Sequence, residues 1–262
     1  MALGSREICH ASQQIAYEYS GGFYQANASI AVRSAEQIVP KLIKQFPVHC
    51  VVDFGCGRGA WLSVWAKAGA AVTGLDGPYV NQDELLIPKE RFSVADLTGP
   101  ISLGRQFDLV QSLEVAEHLP KTSAEWFVQT LVAHGPRVLF SAAIPGQGGE
   151  NHINEQPLEY WRTIFRKHGY SAVDFLRPLI LNDAVIERWY RYNILLYVRA
   201  DMVDSLSDRL KSCCLEDGQS LLDYRPPFYR LQNALVRRMP TGLINRISRI
   251  KWRLVSGPTM IV

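Results

Sequence analysis

The sequence predicts an α/β fold: a doubly wound, mostly parallel sheet of seven strands, followed by a basic helical C-terminal extension. Three observations lead there. Short apolar runs alternate with helix-length amphipathic runs between residues 47 and 200, the pattern of strand–helix–strand crossovers. The first strand runs into a glycine-rich turn, Gly55-Cys56-Gly57-Arg58-Gly59, that opens directly onto a helix. Finally, charge is split along the chain. Residues 225–262 carry Arg225, Arg230, Arg237, Arg238, Arg246, Arg249, Lys251 and Arg253 and no acid, so a net +3 chain has +8 there and −5 in residues 1–224.

Taken in order, Tyr17, Tyr19, Phe23 and Tyr24 lead into a helix expected over Gln25–Phe46. Its apolar positions Ile30, Ala31, Ala35, Ile38, Val39 and Leu42 recur at helical spacing. Strands follow at Cys50–Phe54, Ala71–Leu75, Arg91–Val94, Phe107–Ser112 and Arg137–Ser141, with helices expected at Ala60–Ala68 and Ser123–Ala133. Gly146–Gly149 is a loop, and Pro157–His168 is a helix with proline where its missing N–H costs nothing. Ser171–Leu176 and Asn193–Arg199 complete the sheet. Residues 1–46 thus form an N-terminal helical cap, 47–200 the cofactor-binding core, and 201–262 the basic helical extension.

A chain of 262 residues with 47% hydrophobic content is long enough for one sizeable core. Its five cysteines (Cys9, Cys50, Cys56, Cys213 and Cys214) are odd in number and show no metal-ligand spacing. That pattern fits free thiols in a reducing compartment. With no leader-like N-terminus and no apolar run of spanning length, a cytoplasmic location is expected, with peripheral membrane contact left open.

The glycine turn is a nucleotide-type site. Glycines at alternate positions let backbone pass close to a ligand, and the next helix aims its N–H groups at the same place. Gly55, Gly57 and Ala60 also satisfy the dinucleotide fingerprint, with Asp76 placed for a ribose, so NAD stays a possible ligand. Asp53 tips the balance. A carboxylate beside the turn repels a pyrophosphate, whereas it holds an ammonium. S-adenosylmethionine (SAM) has an ammonium and a sulfonium and no phosphate, so the charges favour SAM. Cys56 is read as a small side chain fitting a tight loop.

Several motifs together resemble the class I SAM-dependent methyltransferases, which have a Rossmann-like sheet. They are Asp53-Phe-Gly-Cys-Gly-Arg-Gly59, Asp76-Gly77, Asp96-Leu97 and Ser112-Leu-Glu-Val-Ala-Glu-His118-Leu119. Ser34-Ala35-Glu36, the Phe140–Gly149 run and His152-Ile-Asn154-Glu155-Gln156 resemble a group of bacterial methyltransferase-domain proteins; Pro157 departs from that group, where Trp is expected. The resemblance covers about residues 15–200. It implies that Gly55, Cys56, Gly57 and Gly59 line the methionine part of SAM and that Asp53 holds its amino group. It also implies that Asp76, with Gly77 beside it, takes the ribose hydroxyls. Asp96 and the Leu97 N–H would face the adenine, and Leu113 the methionine end. The product would be S-adenosylhomocysteine (SAH). Asp96 also has a plainer reading as a turn or capping aspartate, and binding is the preferred one.

Methyl transfer needs positioning above all, and a base only when the acceptor must lose a proton, as a hydroxyl does. His118 and His152 are the candidate bases, and Glu155 is placed to orient His152 or to meet a cationic acceptor. Each also has a plainer reading, as a brace of its own loop. Tyr160, Trp161, Trp189, Tyr190 and Tyr192 are read as packing residues with a lesser case for pocket walls. His10, His49, His134 and His168 are read as surface or helix-end histidines. No metal is expected, since no Cys/His cluster is visible.

The Asn/Asp-Pro-Pro-Tyr motif of amino-directed nucleic-acid methyltransferases is absent after the fourth strand, which argues against a DNA base substrate. The leading expectation is methylation of a hydroxyl, or an amine, on a small-molecule or saccharide acceptor in biosynthesis. Two alternatives stay open: a non-catalytic adaptor that recruits a membrane or nucleic acid through its tail, and an NAD-linked oxidoreductase. For residues 225–262 the expected roles are docking on the body, homodimer contact or contact with a membrane surface.

Overall fold

The computed structural model describes residues 21–256, so Cys9, His10, Tyr17 and Tyr19 lie outside the described residues. Helix α1 (Gly21–Ile43) is followed by β1 (Cys50–Phe54), α2 (Ala60–Lys67), β2 (Ala71–Asp76), β3 (Phe92–Val94) and β4 (Leu109–Leu113). Then come α3 (Ala124–Ala133), β5 (Arg137–Ser141), α4 (Leu158–Lys167), β6 (Tyr170–Val173), α5 (Leu176–Ile180), α6 (Arg188–Asn193) and β7 (Leu195–Arg199). The chain closes with α7 (Asp208–Lys211), α8 (Pro227–Val236) and α9 (Thr241–Ser256).

The seven strands form one sheet in the order β3-β2-β1-β4-β5-β7-β6. Every neighbouring pair from β3 to β5 is parallel, and β7 runs antiparallel between β5 and β6. Val51, Val52 and Phe54 in β1 are wholly buried, as expected for a central parallel strand covered on both faces. On one face α1 and α2 supply Ile38, Leu42, Leu62 and Trp65. On the other, α3 and α4 supply Phe127, Leu131, Trp161 and Phe165. Each such side chain contributes about 1.5–3 kcal/mol on burial. Strand order reverses between β1 and β4, and the crevice beyond their carboxyl ends is where ligands collect in such sheets.

Two late elements differ from expectation. The strand expected over Ser171–Leu176 ends at Val173, and Leu176 begins α5. Arg177 explains the exit: its buried guanidinium pairs with Asp174 and donates to the carbonyls of Tyr192 and Leu222. Asp174 and Arg177 are three residues apart, a spacing that brings two side chains together on a helical turn. Likewise Asn193, expected in the last strand, ends the unforeseen helix α6.

Helices α8 and α9 fold back over the crevice. Helix α9 packs against α1. Arg249 Nε donates to buried Glu150 at 2.9 Å, and the Asn151 N–H donates to Asn245 Oδ1 at 3.1 Å. A Cβ on Gly146 would meet the Asn233 carbonyl at 2.0 Å, so glycine there lets α8 lie directly on the loop. Among the described residues no helix is long and apolar enough to cross a membrane.

Candidate active site

The crevice is a cleft of about 950 Å³. Its floor is the carboxyl ends of β1, β2 and β4, and Ala28 and Ala31 of α1, Tyr229 of α8 and Ser248 of α9 stand on its other sides.

On one side lies the glycine turn. Gly55, Gly57 and Gly59 have φ of 88°, 54° and 78°, the left-handed region that other residues avoid. A Cβ on Gly57 would meet nothing within 4 Å, so the turn is open to a ligand at that position. Asp76, at the end of β2, fixes the turn. Its Oδ2 accepts the Gly57 N–H at 2.6 Å, and its Oδ1 accepts the Gly77 N–H at 2.7 Å and the Tyr79 hydroxyl at 2.6 Å. Burial nevertheless raises its pKa above the usual carboxylate range.

Asp53, at the end of β1, is the more telling group. Its Oδ2 accepts from Gln111 Nε2 at 2.8 Å, and Gln111 Oε1 in turn accepts from Trp65 Nε1 at 3.1 Å. This relay holds the carboxylate from inside the sheet. The other oxygen, Oδ1, is buried with no hydrogen-bond partner. Desolvation by burial pushes the Asp53 pKa up to about 8, with the nearby charge of Asp76 adding to it. A buried carboxylate oxygen without a partner in a cleft wall is matched by a cationic ligand group, and an ammonium fits it.

Leu97 and Leu113 are buried beside exposed Asp96 in the same wall. Asp96 Oδ1 accepts from the Thr98 N–H and hydroxyl, so Asp96 forms the expected turn while also facing the cleft. Cys56 is buried, a Cβ on Gly74 would meet its Sγ at 2.7 Å, and burial holds its thiol well above its ordinary pKa. That is a packing residue. Gly77 is covered by the Tyr79 ring.

The opposite side is built from loops. Glu114 follows β4 with φ of 56°, a strained conformation for a residue with a side chain, of the kind found at functional sites. Gln147 bridges it to the fold, donating to Glu114 Oε2 and accepting from Asn193, each at 2.7 Å. Glu117 is wholly buried, its carboxylate oxygens make no well-formed hydrogen bond, and desolvation together with the charge of Glu114 raises its pKa strongly.

The carbonyl of Glu117 accepts the N–H groups of both Ile153 and Asn154 at 2.9 Å, which docks the 150–156 loop onto it. His152 thereby reaches His118; their rings meet edge to face with centroids 4.9 Å apart. His152 Nδ1 lies 2.9 Å from Glu155 Oε1, and His118 Nδ1 lies 3.1 Å from the Asn151 carbonyl. Burial, then the neighbouring His152, lowers the His118 pKa to about 3, so its imidazole is neutral. Glu155 also accepts the N–H groups of Gly146 and Gly148, and so ties its own loop together while orienting His152.

The sequence candidates therefore gather in one cleft, with two exceptions: Glu155 stands behind His152, and Gly59 faces the Ile87 side chain, neither of them in the wall. Of the aromatic candidates, Trp189 and Tyr190 line the cleft, while Trp161 packs on Phe140 and Tyr192 on Tyr229. His134 ends α3 but is buried, bonded to the Thr130 carbonyl and the Leu103 N–H. Sequence reasoning passed over Tyr79, Gln111 and Gln147. A glutamine in the short, wholly buried central strand β4 is the second of these.

Residues 24–174 match a family described as a methyltransferase domain. A ubiquinone biosynthesis O-methyltransferase of Methylobacterium sp. (strain 4-46) is 35% identical over 101 residues, covering 36% of this chain and 39% of that protein. A malonyl-[acyl-carrier protein] O-methyltransferase of Pseudescherichia vulneris is 32% identical over 91 residues, covering 34% of this chain and 36% of the relative. The chain thus spans well under half the length of these two proteins. Among solved structures, a candidate O-methyltransferase of Nostoc punctiforme superposes with a TM-score of 0.53 at 12% identity, covering 68% of this chain and 59% of that one. That likeness is one of fold.

Proposed function

The chain belongs to the methyltransferase-domain family of class I SAM-dependent enzymes, and we propose that it transfers the methyl group of SAM to a hydroxyl of a small-molecule or saccharide acceptor. One group carries this reading: Asp53, whose buried Oδ1 lacks a partner in a wall shared with the open glycine turn.

In this reading the SAM ammonium sits against Asp53, its ribose hydroxyls take Asp76, and its methionine chain passes Gly55, Gly57 and Leu113, while Gly59 shapes the turn from behind the wall. Asp96 and the Leu97 N–H meet the adenine. The ribose would have to share Asp76 with Tyr79, whose hydroxyl now holds one carboxylate oxygen. An NAD pyrophosphate fits worse, because Asp53, Asp76, Glu114 and Glu117 all stand in the cleft wall.

The step is an in-line displacement. An acceptor oxygen lone pair forms the new C–O bond as the S–CH₃ bond breaks, and the electron pair goes to sulfur, giving SAH. The hydroxyl proton must leave. His152, with Glu155 behind it, is the group that takes it, and His118, whose pKa is lowered to about 3, packs edge to face against its ring. A hydroxyl acceptor needs such a group, because it stays protonated near neutral pH. The names of the two curated relatives, both O-methyltransferases, point the same way.

For residues 225–262 we propose contact with an anionic membrane surface. Phe228, Leu231, Leu235, Leu243, Ile247 and Ile250 are exposed on α8 and α9 beside Arg230, Arg237, Arg238 and Arg246, a basic apolar face. Sedimentation with anionic but not neutral vesicles is expected; concentration-dependent dimerisation without vesicle binding would assign the face to a second copy instead.

Methyl transfer is tested with SAM carrying an isotopically labelled methyl and a panel of phenolic, aliphatic-hydroxyl and amine acceptors. The reading predicts label in an ether. Label on nitrogen, or no transfer to any acceptor by protein that binds SAH, contradicts it.

A further inference from the structure

We propose that Glu117, His118 and His152 form a binding site for a divalent first-row transition-metal ion on the acceptor side of the cleft. One ligand atom from each of the three lies within 4.8 Å of the others. Ions of this kind bind at about 2.1 Å, which sets ligand separations of up to about 4 Å. Closing the set therefore takes side-chain movements of roughly half an ångström to one ångström.

Three independent features support a built site. Glu117 is fully buried, and neither carboxylate oxygen makes a well-formed hydrogen bond. Such a group is costly unless it meets a cation or takes up a proton. Both histidines have Nδ1 within hydrogen-bond distance of an acceptor, the Asn151 carbonyl for His118 and Glu155 for His152. A proton on Nδ1 leaves Nε2 as the lone-pair nitrogen of each ring. Carboxylate or carbonyl support behind the ring is how metal-binding histidines are oriented. Finally, a Cβ on Gly149 would lie 2.0 Å from His152 Nε2, so that position must be glycine for the imidazole to sit where it does.

Two imidazoles and one carboxylate select a transition ion over Mg²⁺ or Ca²⁺ and leave coordination positions open. An acceptor hydroxyl entering one of them would have its pKa lowered by the ion and would give its proton to water in the cleft, with the two histidines acting as ligands. That catalytic use rests on the methyl-transfer reading; ion binding itself does not. The spacing hid this site from the sequence, because two ligands are adjacent and the third lies thirty-four residues later in another loop.

The test is titration of chelator-stripped full-length protein with Co²⁺, followed by visible absorption, and with Mn²⁺, followed by electron paramagnetic resonance. One ion per chain is expected, with a rise in melting temperature on ion addition. His152→Ala and Glu117→Gln should abolish both signals while still binding SAH, which shows that they fold. Glu155→Gln, a change behind the ligand, should weaken binding roughly 10- to 100-fold without changing stoichiometry. His168→Ala should do nothing. Ion binding that survives His152→Ala and Glu117→Gln, or no binding by the parent, overturns the site. Ion binding intact in protein that binds no SAH would sink the donor assignment and leave the metal site standing.

Discussion

The two sides of the cleft are made in different ways. The donor side comes from strand ends and the turn that follows β1, in a segment from Asp53 to Asp96, and its polar groups are anchored by backbone N–H groups and by the sheet interior. The acceptor side is assembled from a loop after β4, a loop after β5 and two C-terminal helices, and its parts are held together by side chains reaching across loops. A fold that fixes a common cofactor rigidly and leaves its acceptor wall to loops can change substrates without changing its sheet.

The sharpest way to break this contrast is Asp76→Ala. It removes the acceptor of three hydrogen bonds that shape the turn, and SAH affinity should fall at least ~100-fold, about 2.7 kcal/mol. Titration calorimetry checks it, and unchanged affinity would remove Asp76 from the site.

The glycines of the turn sharpen the point, because two alike in sequence should fail differently. A Cβ on Gly55 would lie 2.4 Å from Val115 Cγ2, so Gly55→Ala should cost stability, roughly 2–3 kcal/mol, seen as a lowered melting temperature. Gly57→Ala meets open space and should cost about 1 kcal/mol for its left-handed φ, yet weaken SAH binding about tenfold or more, because its methyl enters the cleft.

Next comes pH. Asp53 is protonated in the free protein until about pH 8, whereas in the unfolded chain it ionises near its ordinary value of 3.8. Its folded pKa is raised, so its contribution to stability is full below pH ~4 and is lost as pH rises to about 8. Ligand binding runs the opposite way, since an ammonium needs the carboxylate. SAH affinity should rise with pH by up to about tenfold per unit and level off above pH 8. Asp53→Asn should flatten both profiles, and a parent profile already flat between pH 6 and 8 would contradict the assignment.

The smallest effect belongs to the roof. Arg249 is half-exposed, so Arg249→Ala should cost at most about 1 kcal/mol in stability. It should raise the KM for the acceptor while leaving SAH affinity unchanged. A change in SAH affinity would mean that the roof serves both sides.

The same division governs what could be read from the residues alone. The sheet was legible because apolar runs in central parallel strands are continuous and each helix carries its own periodic stripe; Val51, Val52 and Phe54 needed no tertiary information. The glycine turn with Asp53 and Asp76 was legible because its geometry is local. Gln111 and Trp65 were not, since a relay across the sheet interior leaves no periodic trace. Nor was the pairing of His118 with His152, which depends on the Glu117 carbonyl gathering two N–H groups from a distant loop. The two late elements were misread for a similar reason: Leu176 and Asn193 sit in apolar runs that suit a strand, and their partners, Arg177 with Asp174 and Gln147 with Asn193, come from tertiary packing.

The central claim is that this cleft was built for a sulfonium donor, and calorimetric titration with SAH, with NADH as the control, tests it most directly. Micromolar binding of SAH together with no measurable binding of NADH is the predicted result. Tighter binding of NADH than of SAH would contradict the assignment of Asp53 and, with it, the account of the whole donor side.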